Sequence, residues 1–164
     1  MRRLLATLVA VLPFAGAAQE TGPAGAPTGL TVLASLAGGG ELGLDKGSAS
    51  VAELEGVVGY DVAGGAVRPE LGATFGLSPD SHVALRPGVR LGLPNLPVQL
   101  RVALDASTSR GATGLDWRWL LLGVAGEVRW TSLLGMYAEV DTGARLSSRY
   151  GLPLLVRVGV SFRL

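Results

Sequence analysis

The residues of this 164-residue chain best equipped for chemistry form two sets. One is the stretch Ser78, Asp80, Ser81 and His82, which contains the only histidine. A serine, a histidine and an aspartate can together support ester hydrolysis or acyl transfer, the imidazole serving as base and the hydroxyl as nucleophile. Residues this close in sequence seldom reach triad geometry, and Ser and Asp are equally the residues of a tight turn. No catalytic residue is therefore expected, and a lipid-modifying enzyme stands only as an alternative. The other set is larger. Arginines and carboxylates recur at alternate positions: Glu53 and Glu55, Arg68 and Glu70, Arg86 and Arg90, Arg101 and Asp105, Glu127 and Arg129, Glu139, Asp141 and Arg145, Arg157 and Arg163. Seven acids face eight bases in this set. Its chemistry is ion pairing, either as a fixed packing network or as a narrow ion path through one that rearranges.

Alternate spacing is the signature of strands, whose successive side chains point to opposite faces. The last residues, Leu154 to Leu164, show it most clearly: Leu154, Val156, Val158, Val160, Phe162 and Leu164 alternate with Leu155, Arg157, Gly159, Ser161 and Arg163. The same two-faced pattern predicts eight strands, at about 28–38, 48–61, 66–77, 82–93, 97–108, 117–130, 134–146 and 151–164. Most of these runs match the ~9–11 residues that a tilted strand needs to cross a bilayer. Turns at Ala63-Gly64-Gly65, Pro94-Asn95-Leu96 and Thr131-Ser132-Leu133 are short and share one end. Gly39 to Gly47 and Ser109 to Asp116 predict longer loops at the other end, the asymmetry of an outer-membrane barrel.

Composition narrows the class. There is no cysteine, which excludes disulfides and thiolate metal sites. The net charge of +1 offers no footprint for nucleic acid. All basic residues but Lys46 are arginine, whereas a water-facing surface usually mixes in lysine. Arg2 and Arg3, the apolar Leu4 to Phe14 and the small Ala15 to Ala18 read as a secretory signal peptide over 1–18, cleaved after Ala18 or alternatively Ala17. A Gly/Pro/Ala-rich lead-in follows over 19–27, then the strands over 28–164. Gly38-Gly39-Gly40 lacks the Lys-Ser/Thr of a phosphate loop, and Glu41 with Asp45 falls short of a calcium set. No metal or cofactor is implied.

Alternation alone leaves open which face is outside. A soluble lipocalin-like barrel turns its apolar face inward around a ligand; a membrane barrel inverts this. Three features favour inversion. Gly59, Gly72, Gly76, Gly88, Gly92, Gly143 and Gly159 share the charged face, where a narrow lumen needs small residues beside long ones. The charges on that face nearly cancel, as enclosed charges must. Aromatics fall at strand ends, Tyr60, Trp130 and Phe162 on the turn side and Phe75, Trp117, Trp119 and Tyr150 on the loop side, predicting two interfacial girdles.

On these residues, 28–164 resembles the small eight-stranded outer-membrane barrels typified by the OmpA transmembrane domain and OmpX. The resemblance implies a closed all-β, antiparallel up-and-down transmembrane barrel in the outer membrane, monomeric and contacting outer-membrane lipid. It further implies an assembly signal in the last strand, Val156, Val158, Val160, Phe162 and Leu164, read by the barrel assembly machinery. That signal typically ends in an aromatic residue; here Leu164 is last and Phe162 stands two before it. The peptidoglycan-binding domain of OmpA-like proteins is not expected after the last strand. Two details need local irregularity: Pro69 and Pro87 lie inside strands, and Trp117 and Trp119 share parity with Glu127 and Arg129. Either a bulge between Trp119 and Gly123 resets the register, or the tryptophans project above the membrane.

Overall fold

The computed structural model describes residues 29–44, 47–94, 96–108 and 114–164. The leader and lead-in, Asp45, Lys46 and most of the 109–116 loop lie outside the described residues. Eight strands form one closed antiparallel barrel in chain order. They are β1 (Gly29–Leu44), β2 (Gly47–Asp61), β3 (Val67–Ser78), β4 (His82–Gly92), β5 (Val98–Thr108), β6 (Leu115–Arg129), β7 (Leu134–Arg145) and β8 (Leu152–Arg163). β8 closes on β1 without a slip, from Thr31↔Arg163 to Leu42↔Leu152.

The inside of the barrel is the charged face. On β2, Val51, Glu53, Glu55, Val57, Gly59 and Asp61 are buried, while Leu54, Val58 and Tyr60 are exposed. On β8, Leu155, Arg157 and Ser161 point in, and Leu154, Val156, Val158 and Phe162 point out. Among the described residues, no Asp, Glu, Lys, Arg or His side chain lies on the outward parity of any strand. This arrangement is the reverse of a lipocalin-like barrel.

Within the predicted loop 39–47, the described residues 39–44 and 47 are strand instead. Gly38, Gly39, Gly40 and Glu41 pair with β2 on one side and β8 on the other. Absence of a side chain makes this possible: a Cβ on Gly39 would lie 2.0 Å from the Leu154 carbonyl oxygen. Composition had pointed to a loop because glycine usually breaks strands, but here it admits a close approach of backbones. Ala63, Gly64 and Gly65 form a tight turn with positive φ at all three, an easy conformation for glycine.

Pro69 and Pro87 both point outward, and neither carries a bulge. The β3–β4 register runs unbroken past both, as Pro69↔Val89 and Leu71↔Pro87. The β4–β5 ladder skips Arg86 and Pro87 and resumes in the same register, so Pro87 sits in a local ladder gap. The β6 irregularity is a bulge, but it precedes Trp119. Asp105 pairs with Trp119 and Ala106 with Trp117, leaving Arg118 as the extra residue. Trp117 therefore points out, and Arg118 and Trp119 both turn in. Odd-numbered side chains face the lumen from Trp119 onward, which places Glu127 inside.

Candidate functional site

The site is the lumen, and each strand contributes to it through its inward parity. Its centre is an ion-pair network of Arg86, Arg90, Arg101, Arg118 and Arg157 with Glu53, Glu55, Glu70, Asp105, Glu139 and Asp141. Arg86 contacts Asp105 at 2.6 Å, Glu53 at 2.7 Å and Glu55 at 3.4 Å. Arg101 reaches Glu70 at 2.7 Å, Glu55 at 2.8 Å and Glu139 at 3.1 Å. Arg157 pairs with Glu55 on β2, on the other side of β1, and with Asp141 on β7. Both cross-strand pairs expected from hairpin register are present: Arg90 lies 3.2 Å from Glu70, and Arg157 lies 3.7 Å from Glu139. Most of the network, however, spans the interior between strands that are not neighbours.

Burial is nearly complete. Arg86, Arg157, Glu53, Asp105 and Asp141 are 0% exposed and Arg101 and Glu139 1%. A water-sized sphere therefore finds almost no room beside these side chains. An unpaired charge so enclosed would cost several kcal/mol, roughly what its removal from water takes, and each charge of the network has at least one opposite charge beside it.

Apolar residues flank the centre. Along β2 the inward side chains read Val51, Glu53, Glu55, Val57, Gly59, Asp61 from loop end to turn end. Val57 packs with Leu33 and Tyr137 in one buried cluster. Val51 packs with Ala103, Trp119, Leu121 and Leu155 in another, with Tyr150 against it. Beyond Val57 lies a second charged group: Asp61 accepts hydrogen bonds from Thr31 at 2.6 Å and Arg68 at 2.8 Å, and Arg163 stands 3.6 Å from it. Glu127 accepts hydrogen bonds from Ser161 at 2.8 Å and Gln99 at 3.0 Å, and lies 3.7 Å from Arg163 and 3.8 Å from Arg129. No ion pair among the described residues joins this group to the centre.

Two expected lumen residues stand apart. Arg145 is exposed at the loop end of β7, and the Arg129 side chain is 39% exposed at the turn end. Three others were missed: Asp61, Arg118 and Glu41, which is buried on the inward parity of β1 where a loop was expected. Asp61 has the parity of Glu53 and Glu55 and was readable from that signal. Arg118 sits at the parity opposite Trp119, and only the bulge brings it inside.

Of the expected girdle residues, Tyr60, Trp130 and Phe162 are exposed on the turn side and Phe75 and Trp117 on the loop side. Trp119 is not among them. It is fully buried in the lumen, donating from Nε1 to the Gly151 carbonyl at 3.0 Å, with the Arg118 guanidinium 3.4 Å from its ring centroid. Tyr150 leans inward against the loop-end cluster, its ring 5.9 Å from Arg118. Around His82, the Nδ1 lies 2.9 Å from the Asp80 carbonyl oxygen and the Nε2 2.8 Å from Arg118. The Ser78 hydroxyl donates to the Ser50 carbonyl at 3.2 Å. The imidazole thus sits between a carbonyl and a guanidinium, with the Glu53 carboxylate 3.5 Å from Nε2.

An apolar exterior without ionised groups, an ionised interior and strands of 11 to 16 residues define a barrel built to span a bilayer. Solved structures share this architecture. The crystal structure of Neisserial surface protein A (NspA) is 14% identical, with a TM-score of 0.59 over 82% of this chain and 97% of that one. A de novo designed transmembrane β-barrel matches with a TM-score of 0.59 at 13% identity, over 84% of this chain and 97% of that one. The N-terminal β-barrel domain of Pseudomonas aeruginosa OprF gives 0.50 at 14% identity, over 84% of this chain and all of that domain. No protein-family model and no curated protein matches the sequence. The fold is that of the small eight-stranded transmembrane barrels.

Proposed function

We propose that this chain is an outer-membrane barrel with a structural, envelope-associated role, whose lumen is closed to ions by its own side chains. The observation that carries this reading is the central network, in which five arginines and six carboxylates are all buried and ion-paired. Eight strands enclose only enough space for side chains, and here ion-paired arginines and carboxylates occupy it. The segment 1–18 would direct export, and β8 would engage the assembly machinery. Its Val156, Val158, Phe162 and Leu164 all lie on the exposed side, with Val160 half-buried on the same face. Monomeric function in lipid agrees with a sheet that has no free edge.

The test is to express the full chain, fractionate the envelope, and refold the purified barrel into detergent and liposomes. The expected result is an outer-membrane fraction, a mobility shift between boiled and unboiled samples, and no steady conductance in planar bilayers. Recovery in the soluble periplasmic fraction would overturn the membrane reading. Stable single-channel steps from the pure barrel would overturn closure of the lumen.

A further inference from the structure

His82 lies on the inward parity at the loop end of β4, its side chain 8% exposed. Its surroundings fix its protonation by valence. The Asp80 carbonyl oxygen, 2.9 Å from Nδ1, has no proton and only accepts, so Nδ1 carries a hydrogen. The Arg118 guanidinium, 2.8 Å from Nε2, has no lone pair to offer and only donates, so Nε2 carries none.

A carboxylate waits beside it. Glu53 Oε1 stands 3.5 Å from the same Nε2, and Arg118 Nη2 donates to that oxygen at 2.6 Å. One acid, one guanidinium and one imidazole thus share a single point. Every strand facing His82 bears on the balance. β3 presents Gly76, whose missing side chain makes room for the ring, since a Cβ there would lie 2.0 Å from it. β2 supplies Glu53 and β6 supplies Arg118. β5 supplies Asp105, 3.5 Å from Arg118 Nε, and β1 supplies the buried Glu41, within electrostatic range of Arg118, Glu53 and His82. On β4 itself, Arg86 holds the other Glu53 oxygen at 2.7 Å. Carboxylates therefore surround a site that a second positive charge could enter only by displacing Arg118 from Nε2.

We propose that His82, Arg118 and Glu53 form a proton-operated latch at the loop end of the lumen. With His82 neutral, Arg118 donates to its Nε2. Protonation adds a hydrogen to Nε2, turning that hydrogen bond into a donor-to-donor contact between two cations. The new N–H is then satisfied by Glu53 Oε1, and Nη1 of Arg118 withdraws. Arg118 is the bulged residue of β6 and stacks on Trp119, which in turn donates to Gly151 just before β8. Its withdrawal therefore changes the environment of the loop-end aromatic pair while Arg86 and Arg157 keep the central network in place. Histidine is the side chain suited to do this near neutral pH.

The full-length barrel, refolded in detergent micelles and labelled with 15N, tests the latch by NMR. A single histidine makes the imidazole signals unambiguous. At neutral pH the expected spectrum has a protonated Nδ1 and an unprotonated Nε2. As pH is lowered, the Trp119 indole N–H signal should shift on the same curve as the imidazole. In H82Q, whose side-chain oxygen still accepts from Arg118 but does not titrate, the Trp119 signal should stay fixed over that range. A neutral ring protonated on Nε2, or a Trp119 signal that ignores the histidine titration, would overturn the proposal. So would an unchanged Trp119 titration in H82Q. If H82Q does not fold, the first two measurements on the unmodified barrel decide it alone.

Discussion

Arg90 and Arg101 stand directly opposite each other on β4 and β5, and Glu139 on β7, a strand adjacent to neither, contacts both at 2.5 and 3.1 Å. Two like charges in register destabilise a sheet unless something intervenes. Glu70 provides the second clamp, 3.2 Å from Arg90 and 2.7 Å from Arg101. The pairing of these neighbouring strands thus depends on a carboxylate that neither strand carries.

Replacing Glu139 by Gln should accordingly be among the most damaging single changes in the lumen. It leaves two buried guanidiniums facing each other with one carboxylate between them. Breaking a buried pair from one side costs about 3–5 kcal/mol, so a loss of that size is expected in urea unfolding from lipid vesicles. Adding Arg90→Met to the same chain should restore part of it, because the uncompensated charge is then gone. A double variant no more stable than Glu139→Gln would show that the two residues are not coupled.

The outward face makes a different demand. Leu71, at the middle of β3, is 55% exposed and points away from the lumen. Leu71→Arg should cost about 2–4 kcal/mol of folding free energy in vesicles, and Leu152→Arg, at the loop-end start of β8, at most about 1. A barrel whose outer face met water would show neither cost, so the depth dependence itself is the readout.

Gly39→Ala probes the seam. A glycine-to-alanine change where the backbone allows it stabilises by about 0.4–1 kcal/mol, through the unfolded chain. At Gly39 the new methyl would press on the Leu154 carbonyl where β1 meets β8, so the sign should reverse. The expected result is a lower urea midpoint than the unmodified barrel, with the unboiled gel form partly lost. A midpoint equal to or above that of the parent would mean the seam can open enough to admit a methyl group.

The fold was legible because the physics of a small membrane barrel is written at period two. Leu154 to Leu164 declares an apolar and a charged face, and the glycines among the charges point to a narrow interior, so strand number, closure and inversion followed. The lumen was less so. Register across a hairpin reveals Glu70 near Arg90, but the Arg157–Glu55 and Arg90–Glu139 contacts join strands that are not paired and depend on strand tilt, which no local pattern records. The Gly38-Gly39-Gly40 run misled because glycine serves both a loop and a tightly pressed strand. Trp117-Arg118-Trp119 misled because one bulged residue reverses the sides of everything before it.

That bulge separates the three tryptophans in a way fluorescence can read. Trp117 and Trp130 are 50% and 60% exposed on the outer surface, and Trp119 is fully enclosed. In single-tryptophan variants refolded into vesicles, brominated acyl chains should quench Trp117 and Trp130 and leave Trp119 nearly untouched. Unbroken alternation through β6 would instead place Trp117 and Trp119 on the same face and give them similar quenching. If neither is quenched, both indoles face the lumen and Arg118, at the opposite parity, leaves it together with its contacts to Glu53, Asp105 and His82.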